Sequence, residues 1–484
     1  MMDGLECSII NLHEVCKAPF RLDAEYYSKE IILLDNFIKT HNGKTITAIN
    51  GETECSAFYP SITGEYSNDT TLVPFLRVNE IQRGLISLTD STVYLPQKVL
   101  DDNPKTIKLA YPYDIIIAKG GNTLAKVGLV TSQYEQYATC RDVIILHTNS
   151  LSINRYYLWA YLHSKFGQAL MWRNASQTGQ PHITLPSIQN MYVPIVSIDF
   201  QNVIQRAYEL SVKLSEHSNE KYNEAEDYLL RQINVNTSSL SSDNISVKSF
   251  SESFAQTGRL DAEYYQKKYD ELLASVQKEA YGELRDIVEI SKSIEPGSEA
   301  YCDEGIPFIR IGDFSKYGLS VPDKYLEPGS DYDIPALYLK KDEILFSKDG
   351  SIGIAYKVER DTKAITSGAL LHLKIKDSVE ILPDYLTAIL NSDTVKLQAE
   401  RDAGGSIINH WKPSEIEKVQ IPILPIDEQQ DISDRIIHSF SLRHKSERLL
   451  DAAKQAVEIA IEQSEEAAIT WLNNTISEIE ASTK

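Results

Sequence analysis

The sequence predicts an α+β protein: two homologous α/β domains separated by a pair of long antiparallel coiled-coil helices, related by a pseudo-twofold axis. Three observations predict it. A seven-residue string occurs twice without change, as Arg21-Leu22-Asp23-Ala24-Glu25-Tyr26-Tyr27 and as Arg259-Leu260-Asp261-Ala262-Glu263-Tyr264-Tyr265. The residues after each copy match each other over about half the chain. Each half then ends in a long amphipathic stretch, at 199–232 and 427–462.

The internal match fixes the organisation. Val73-Pro74-Phe75-Leu76-Arg77 aligns with Ile306-Pro307-Phe308-Ile309-Arg310, and Asp114–Lys119 with Glu343–Lys348. From Tyr157 onward the halves align without gaps: Tyr157 on Tyr385, Ser164 on Ser392, His182 on His410, Pro194 on Pro422, Gln201 on Gln429. A unit this long is a duplicated domain and not a solenoid repeat. The 484 residues divide into a first domain with its N-terminal segment (1–198), a long helix (199–233), a linker (234–257), a second domain (258–426), and a second long helix with a tail (427–484).

In chain order, Asp114–Ala118 and Asp142–Leu146 are apolar runs bounded by turn formers and predict strands. Residues 156–173 predict a helix, and 175–182 a loop. In the first long helix Val203, Ala207, Leu210 and Leu214 recur at alternating four and three, a coiled-coil seam. Polar residues interrupt it near His217, and Ala225, Tyr228 and Leu229 resume it. The linker, rich in Ser, Asn and Thr, buries no core. The second domain predicts strands at 343–346, 353–358 and 369–375, a helix at 383–401 and a loop at 403–411. The second long helix has seams at Ile432, Ile436, Phe440 and at Leu449, Leu450, Ala453, Val457, again with a polar middle. Antiparallel packing brings the polar middles together. About 34 residues at ~1.5 Å each give rods of roughly 50 Å. Ile469, Leu472, Ile476 and Ile479 form one face of a tail that extends the second helix or docks on a partner.

A hydrophobic content of 42% and a mean hydropathy of −0.28 describe a soluble globular chain. No apolar run reaches the ~18 residues of a membrane span, and the N-terminus lacks the basic start of a signal peptide. A cytoplasmic location is expected, with five scattered cysteines as idle thiols. The net charge of −21 argues against nucleic acid, because phosphate binding rests on Lys and Arg. Local charge differs: Leu339–Lys376 holds eight basic residues against five acidic, and Gln97–Arg141 six against four. Such segments are either ordinary solvated faces or phosphate-binding ones.

Catalytic motifs are missing. No P-loop, Gly-x-Gly-x-x-Gly, Gly-x-Ser-x-Gly or His-Glu-x-x-His pattern occurs. No Asp/Asn-Pro-Pro-Tyr/Phe string of amino-methylating enzymes is present either. Asp361-Thr362-Lys363 with Pro322-Asp323 makes only a stretched nuclease pattern. The residues read as a non-catalytic recognition and assembly protein.

The two Arg-Leu-Asp-Ala-Glu-Tyr-Tyr strings, Asp342–Gly353 and Ile421-Pro-Ile-Leu-Pro-Ile-Asp-Glu-Gln-Gln430 resemble specificity (S) subunits of type I restriction–modification systems over nearly the whole chain. The first half departs from the family pattern, with Gly121-Asn-Thr-Leu-Ala for Gly-Ser-Ile-Gly. The resemblance implies two target-recognition domains, each reading half of a bipartite, asymmetric site on double-stranded DNA. It implies that the helix pair sets the spacing and that the chain is not an enzyme. Two methyltransferase (modification) subunits assemble on the helices, and an ATP-driven restriction/translocase subunit is a further possible partner. S-adenosylmethionine, ATP and Mg²⁺ then belong to the partners, and this chain holds no cofactor, no metal and no membrane contact.

Phosphate contacts position a domain and base-edge contacts specify sequence. Expected DNA contacts in the first domain are Arg77, Lys119, Asn122, Lys126, Gln177 and His182. In the second they are Arg310, Lys348, Ser351, Lys357, Ser406, Asn409, His410 and Lys412. Lys and Arg suit phosphate or guanine, and Asn and Gln suit adenine. Structural salt bridges are the alternative for Arg77 and Arg310. A shared frame role is the alternative for His182 and His410. Tyr26, Tyr27, Tyr264 and Tyr265 do not vary between halves and are expected in the frame or on a partner, with Leu472 and Ile476 also facing a partner. Three competing readings stand: an S-like subunit of a methylation-based phage-defence system without a classical restriction subunit, a self-contained nuclease or methyltransferase, and an acidic scaffold or DNA mimic.

Overall fold

The computed structural model describes residues 9–16, 21, 23–57, 61–89, 91–175, 181–236, 239–243, 245–278, 280–403 and 410–483, without the side chains of Glu14 and Asn122. They form two compact units. The first is Met1–Ser215 with His444–Lys484, and the second is Glu216–Arg443.

In the first unit the principal strands are β1 (Glu52–Glu54), β2 (Val73–Leu76), β3 (Ile115–Ala118), β4 (Val127–Leu129), β5 (Tyr137–Thr139) and β6 (Val143–His147). β6 lies between β1 and β3, antiparallel to both, and β4 flanks β3. Every residue of β3 is buried, which explains why the run is continuously apolar and does not alternate. In a second sheet β5 pairs parallel with β2. Phe75, Leu76, Ile116, Val143 and Ile145 belong to one core between them. The apolar stretch at 156–173 forms two helices, α1 (Arg155–His163) and α2 (Lys165–Asn174). Ser164 breaks it by accepting a hydrogen bond from the Gly167 amide at 3.3 Å, as an N-cap does. A Cβ on Gly167 would lie 2.2 Å from the Tyr161 carbonyl oxygen, so the turn requires glycine. The chain then enters the long helix α3 (Ile198–Gln232).

The second unit repeats this frame. Its strands are β7 (Val288–Lys292), β8 (Ile306–Ile309), β9 (Ile344–Ser347), β10 (Ala355–Lys357), β11 (Ile365–Thr366) and β12 (Leu370–Ile375). The order β7-β12-β9-β10 reproduces β1-β6-β3-β4, and β8 pairs parallel with β11 as β2 does with β5. The stretch at 383–401 is likewise split, into α4 (Pro383–Asn391) and α5 (Asp393–Asp402), at the matching Ser392. Two residues identical between the halves make the same bonds in both. Tyr157 donates to the Pro194 carbonyl at 2.8 Å and Tyr385 to that of Pro422 at 2.9 Å. The buried amide of Gln201 accepts from the Asn154 N–H and donates to the Val196 carbonyl. Gln429 does the same with Leu382 and Leu424.

The second long helix, α6, runs Ile426–Glu462, and α7 follows at Glu465–Ala481. Within each unit the segments of α3 and α6 pack antiparallel. In the first, Ser446 Oγ donates to the Ser211 carbonyl at 2.7 Å, and in the second, Ser439 Oγ donates to that of Ser218 at 2.8 Å. All four serines are buried. The polar middle of each helix is thus small hydroxyls: Ser446 and Ser439 bond the neighbouring backbone and Ser218 Oγ lies 3.2 Å from Ser439 Oγ, while Ser211 Oγ is buried without a partner among the described residues. Tyr222, Ala225, Leu229, Ile432 and Ile436 join the core of the second unit with Tyr385 and Trp411.

The tail does not extend α6. Ser464 starts a new helix by accepting from the Ala467 amide at 3.2 Å. α7 runs back against α6 and beside α3: Lys445 Nζ donates to the Ser482 carbonyl at 2.6 Å, Ser197 N–H to Glu465 at 2.9 Å, and Arg206 to Glu480 at 3.0 Å. Leu472 and Ile476, expected to face a partner, are fully buried within the first unit. An apolar helix face adjacent to its own helix pair closes on it without a second chain. Among the described residues no helix is long and apolar enough to cross a membrane.

Candidate nucleic-acid interface

Each unit has a rim where the chain leaving its central strand meets the chain arriving from its helix hairpin. In the second unit Lys348 follows β9. Its N–H donates to the Ala369 carbonyl at 2.9 Å, and its carbonyl accepts from Trp411 N–H at 2.8 Å. Asp349 bridges to His410 through the backbone, and His410 Nδ1 lies 2.7 Å from Asp349 Oδ1. Lys348 Nζ pairs with the other carboxylate oxygen. Burial alone would raise the Asp349 carboxyl. The hydrogen bonds from Lys348 and His410 outweigh it and hold the group below its usual value. The His410 side chain is 63% exposed, so the trio presents an imidazole to solvent on a neutralised base. Ser351 is exposed beside it, and Lys412 is exposed with Glu415 3.6 Å away.

The first unit builds the same place from other residues. Lys119 N–H donates to the Asp142 carbonyl at 2.9 Å, and its carbonyl accepts from Ile183 N–H at 2.8 Å. Gly120 bridges to His182 where Asp349 bridges to His410. A Cβ on Gly120 would lie 2.3 Å from His182 Nδ1, so the carboxylate of the second unit has no counterpart. Lys126, whose carbonyl accepts from Ala118 N–H, is exposed on this rim. Ile354 takes its place in the second unit, bonding Ser347 N–H in the same way.

Lys119, Lys126 and His182 thus lie together, as do Lys348, Ser351, His410 and Lys412. Gln177, Ser406 and Asn409 lie outside the described residues, as does the side chain of Asn122. Arg77 and Arg310 stand near these rims with their guanidinium groups engaged. Arg77 donates to Glu80 at 3.1 Å and to the Ser91 carbonyl at 2.7 Å, and Arg310 pairs with Asp323 and lies 3.7 Å from Asp313. Lys357, expected with the others, lies apart from them. It pairs across the sheet with Ile344, the first residue of β9, at the strand end opposite Lys348, and is bound to Asp384 at 2.7 Å. Charge counted along the chain places it with the others, but an antiparallel hairpin carries it to the far edge.

Three residues outside the expected set bear on the rims. Arg141 is exposed, and its carbonyl accepts from Lys119 Nζ at 3.2 Å. Its signal was its place at the end of the basic segment. Arg173 and Arg401, aligned by the gapless match, close the last turns of α2 and α5, and each guanidinium stacks on a tyrosine of the repeated string. Arg173 lies 4.3 Å from the Tyr26 ring centroid and Arg401 5.3 Å from that of Tyr264. The nuclease pattern does not assemble: Asp323 is on Arg310, Asp361 accepts from the Lys341 amide, and Lys363 faces Asp333.

Residues 278–447 match the family model of the Type I restriction modification DNA specificity domain. No curated protein matches the chain. Among solved structures it is similar to the S subunit of a type I restriction–modification system from M. genitalium, at 12% identity over 89% of this chain and 95% of that one, with a TM-score of 0.31. It is also similar to the HsdS subunit of Thermoanaerobacter tengcongensis, at 16% identity, 85% and 93% coverage and a TM-score of 0.27. A shorter likeness, 40% of this chain and 29% of the other at 13% identity and a TM-score of 0.29, is to the type IIG restriction endonuclease BpuSI.

Proposed function

We propose that this chain, which carries a type I restriction–modification DNA specificity domain at 278–447, is the DNA sequence-specificity subunit of a type I restriction–modification complex. Its two units each read one part of an asymmetric, bipartite site on duplex DNA. The observation that carries this reading is one frame with two different rims. The frame bonds of Tyr157/Tyr385 and Gln201/Gln429 are the same, while the places held by Gly120, Lys126 and Arg141 in the first unit are held by Asp349, Ile354 and Gly368 in the second. A duplicated structural part has no need of such divergence, whereas a pair of readers for unlike half-sites does.

On this reading the chain itself is not catalytic. Two modification subunits supply adenine-N6 methylation from S-adenosylmethionine, and a restriction/translocase subunit using ATP and Mg²⁺ joins them. Lys119, Lys126 and Arg141 supply phosphate or guanine contacts in the first unit, and Lys348 and Lys412 in the second. His182 and His410 sit where base edges or phosphates would pass. The length of the long helices sets the gap between half-sites. The deciding experiment maps N6-methyladenine in cells with and without this chain. Methylation of a two-part motif that vanishes with the chain is expected, and an unchanged methylome refutes the proposal.

A further inference from the structure

The repeated heptapeptide has no part in the DNA contacts above, yet it is the most faithfully duplicated stretch of the chain. Its side chains close on the ends of α2 and α5. Arg21 grips Asp23 with two hydrogen bonds, at 2.8 and 2.5 Å, and donates to the carbonyls of Arg173 at 3.3 Å and Ala175 at 2.8 Å. Arg259 grips Asp261 in the same way and donates to the Asp402 carbonyl at 2.8 Å. Each guanidinium also lies on the first tyrosine of its string, 4.5 Å from the Tyr26 centroid and 4.4 Å from that of Tyr264. The arginines of the last helical turn, Arg173 and Arg401, stack on the same rings. The second tyrosine ties the string to itself: Tyr27 and Tyr265 donate to the carbonyls of Arg21 and Arg259.

We infer that Arg21 and Arg259 are positioning residues that lock the C-terminal ends of α2 and α5, and thereby the rims on which His182 and His410 stand. The last carbonyls of a helix have no partner within it, and a cation there also meets the negative end of the helix dipole. A guanidinium can hold a carboxylate and a carbonyl at once through its fixed fork, which an ammonium cannot. The carboxylate of Asp23 or Asp261 aims the fork, and the arginine in turn holds that carboxyl below its usual value. The other end of each connection is fixed as well, by Ile183 N–H on the Lys119 carbonyl and Trp411 N–H on that of Lys348. The guanidinium groups are turned inward, the Arg21 side chain being 12% exposed and that of Arg259 23%, while Asp261 beside the latter is 40% exposed. A clasp that serves the frame and not the sequence read has no reason to change its string between halves, and the string does not change, although the carbonyls reached are those of Arg173 and Ala175 in the first and of Asp402 in the second. The inference rests on the rims being the DNA readers.

The test uses the full chain with a methyltransferase partner and the variants Arg259→Ala and Arg259→Lys. Amide exchange at 399–403 and 410–412 is expected to rise at least tenfold, while β9 and β12 keep wild-type protection. In cells, methylation is expected to lose base selectivity in one half of the motif only, and Arg21→Ala to loosen the other half. Should Arg259→Ala fail to fold, Arg259→Lys is read instead, since it keeps the charge and stem but loses the fork. Unchanged exchange overturns the inference. So does loss of partner co-purification with selectivity intact, which would make the string a docking surface. A wild-type chain that directs no two-part methylation defeats the function proposed above, and the exchange measurement still judges the clasp.

Discussion

Two histidines of the first unit carry opposite pH dependences that their surroundings fix. His147 Nδ1 lies 2.8 Å from Asp114, which is fully buried, and Nε2 lies 3.1 Å from Glu54. The hydrogen bond that His147 donates to Asp114 is the main cause that raises His147 to about 9. Its stabilisation is full below the unfolded value of ~6.5 and is lost as pH rises through about 9. His163 is the reverse case. Burial, and then the charge of Lys454, lower it to about 4. The neutral ring stabilises the fold above ~6.5, and that contribution is lost as pH falls toward 4. The thermal midpoint of the first unit, measured for wild type minus variant, should therefore decline between pH 6.5 and 9 against His147→Gln, and between pH 6.5 and 4 against His163→Leu. Flat differences would refute both assignments. Arg77 makes a separate prediction. Its partner Glu80 is 1% exposed, so Arg77→Ala leaves a buried carboxylate without its cation, a loss of ~3–5 kcal/mol for fully buried pairs. The low end is expected because Arg77 is 30% exposed. Denaturant unfolding checks it, and an equal fall in stability for Arg77→Ala with and without Glu80→Gln would show that the pair is not coupled.

At the scale of elements, α7 gives the clearest test. Ala468, Leu472, Ile476 and Ile479 are all buried, against the segments of α3 and α6 that share its unit. Leu472→Ala removes a buried side chain and should cost ~2–5 kcal/mol. It should also raise amide exchange in 198–214 and 444–462. Wild-type protection in both segments would show that α7 is not part of that bundle. What could be read from sequence follows the same physics. β3 and β9 were legible because strands buried on both faces carry continuous apolar runs, Ile115–Ala118 and Ile344–Phe346, and the antiparallel pairing of α3 with α6 followed from matched seams and polar middles. The breaks at Ser164 and Ser392 were not legible, because the apolar period runs through them and only the serine hydroxyls, which donate back to the Tyr161 and Ile389 carbonyls, mark the break. α7 shows the limit of amphipathicity: the pattern gives a buried face but not what buries it. In the candidate site, Lys119 with His182 and Lys348 with His410 could be grouped because the duplication aligns them. Lys357 stands apart from Lys348 because proximity in sequence ignores strand direction. Arg173 and Arg401 went unnoticed because their importance lies in stacking on residues about 140 positions away.

For the whole molecule, the governing quantity is a net charge of −21 on a chain proposed to bind a polyanion. Its cations near the rims are few and partly neutralised, Lys348 by Asp349 and Arg310 by Asp323. Few phosphates can then be neutralised by this chain alone, so its own affinity for duplex DNA should be low and should fall only shallowly with salt, because the salt slope scales with the number of phosphates neutralised. A partner that adds cations along the same duplex would supply the missing electrostatic attraction. Titration of labelled duplex at physiological salt should therefore show weak, non-selective binding by the pure chain and selective binding once the modification subunit is added. Tight, selective binding by the chain alone would remove the need for shared contacts. The duplication adds a second consequence. Because the rim residues of each unit differ on an unchanged frame, replacing 258–425 by the corresponding domain of a related chain should alter one part of the methylated motif and leave the other part intact. Joint change of both parts would mean that the units do not read independently, and the assignment of one half-site to each would fail.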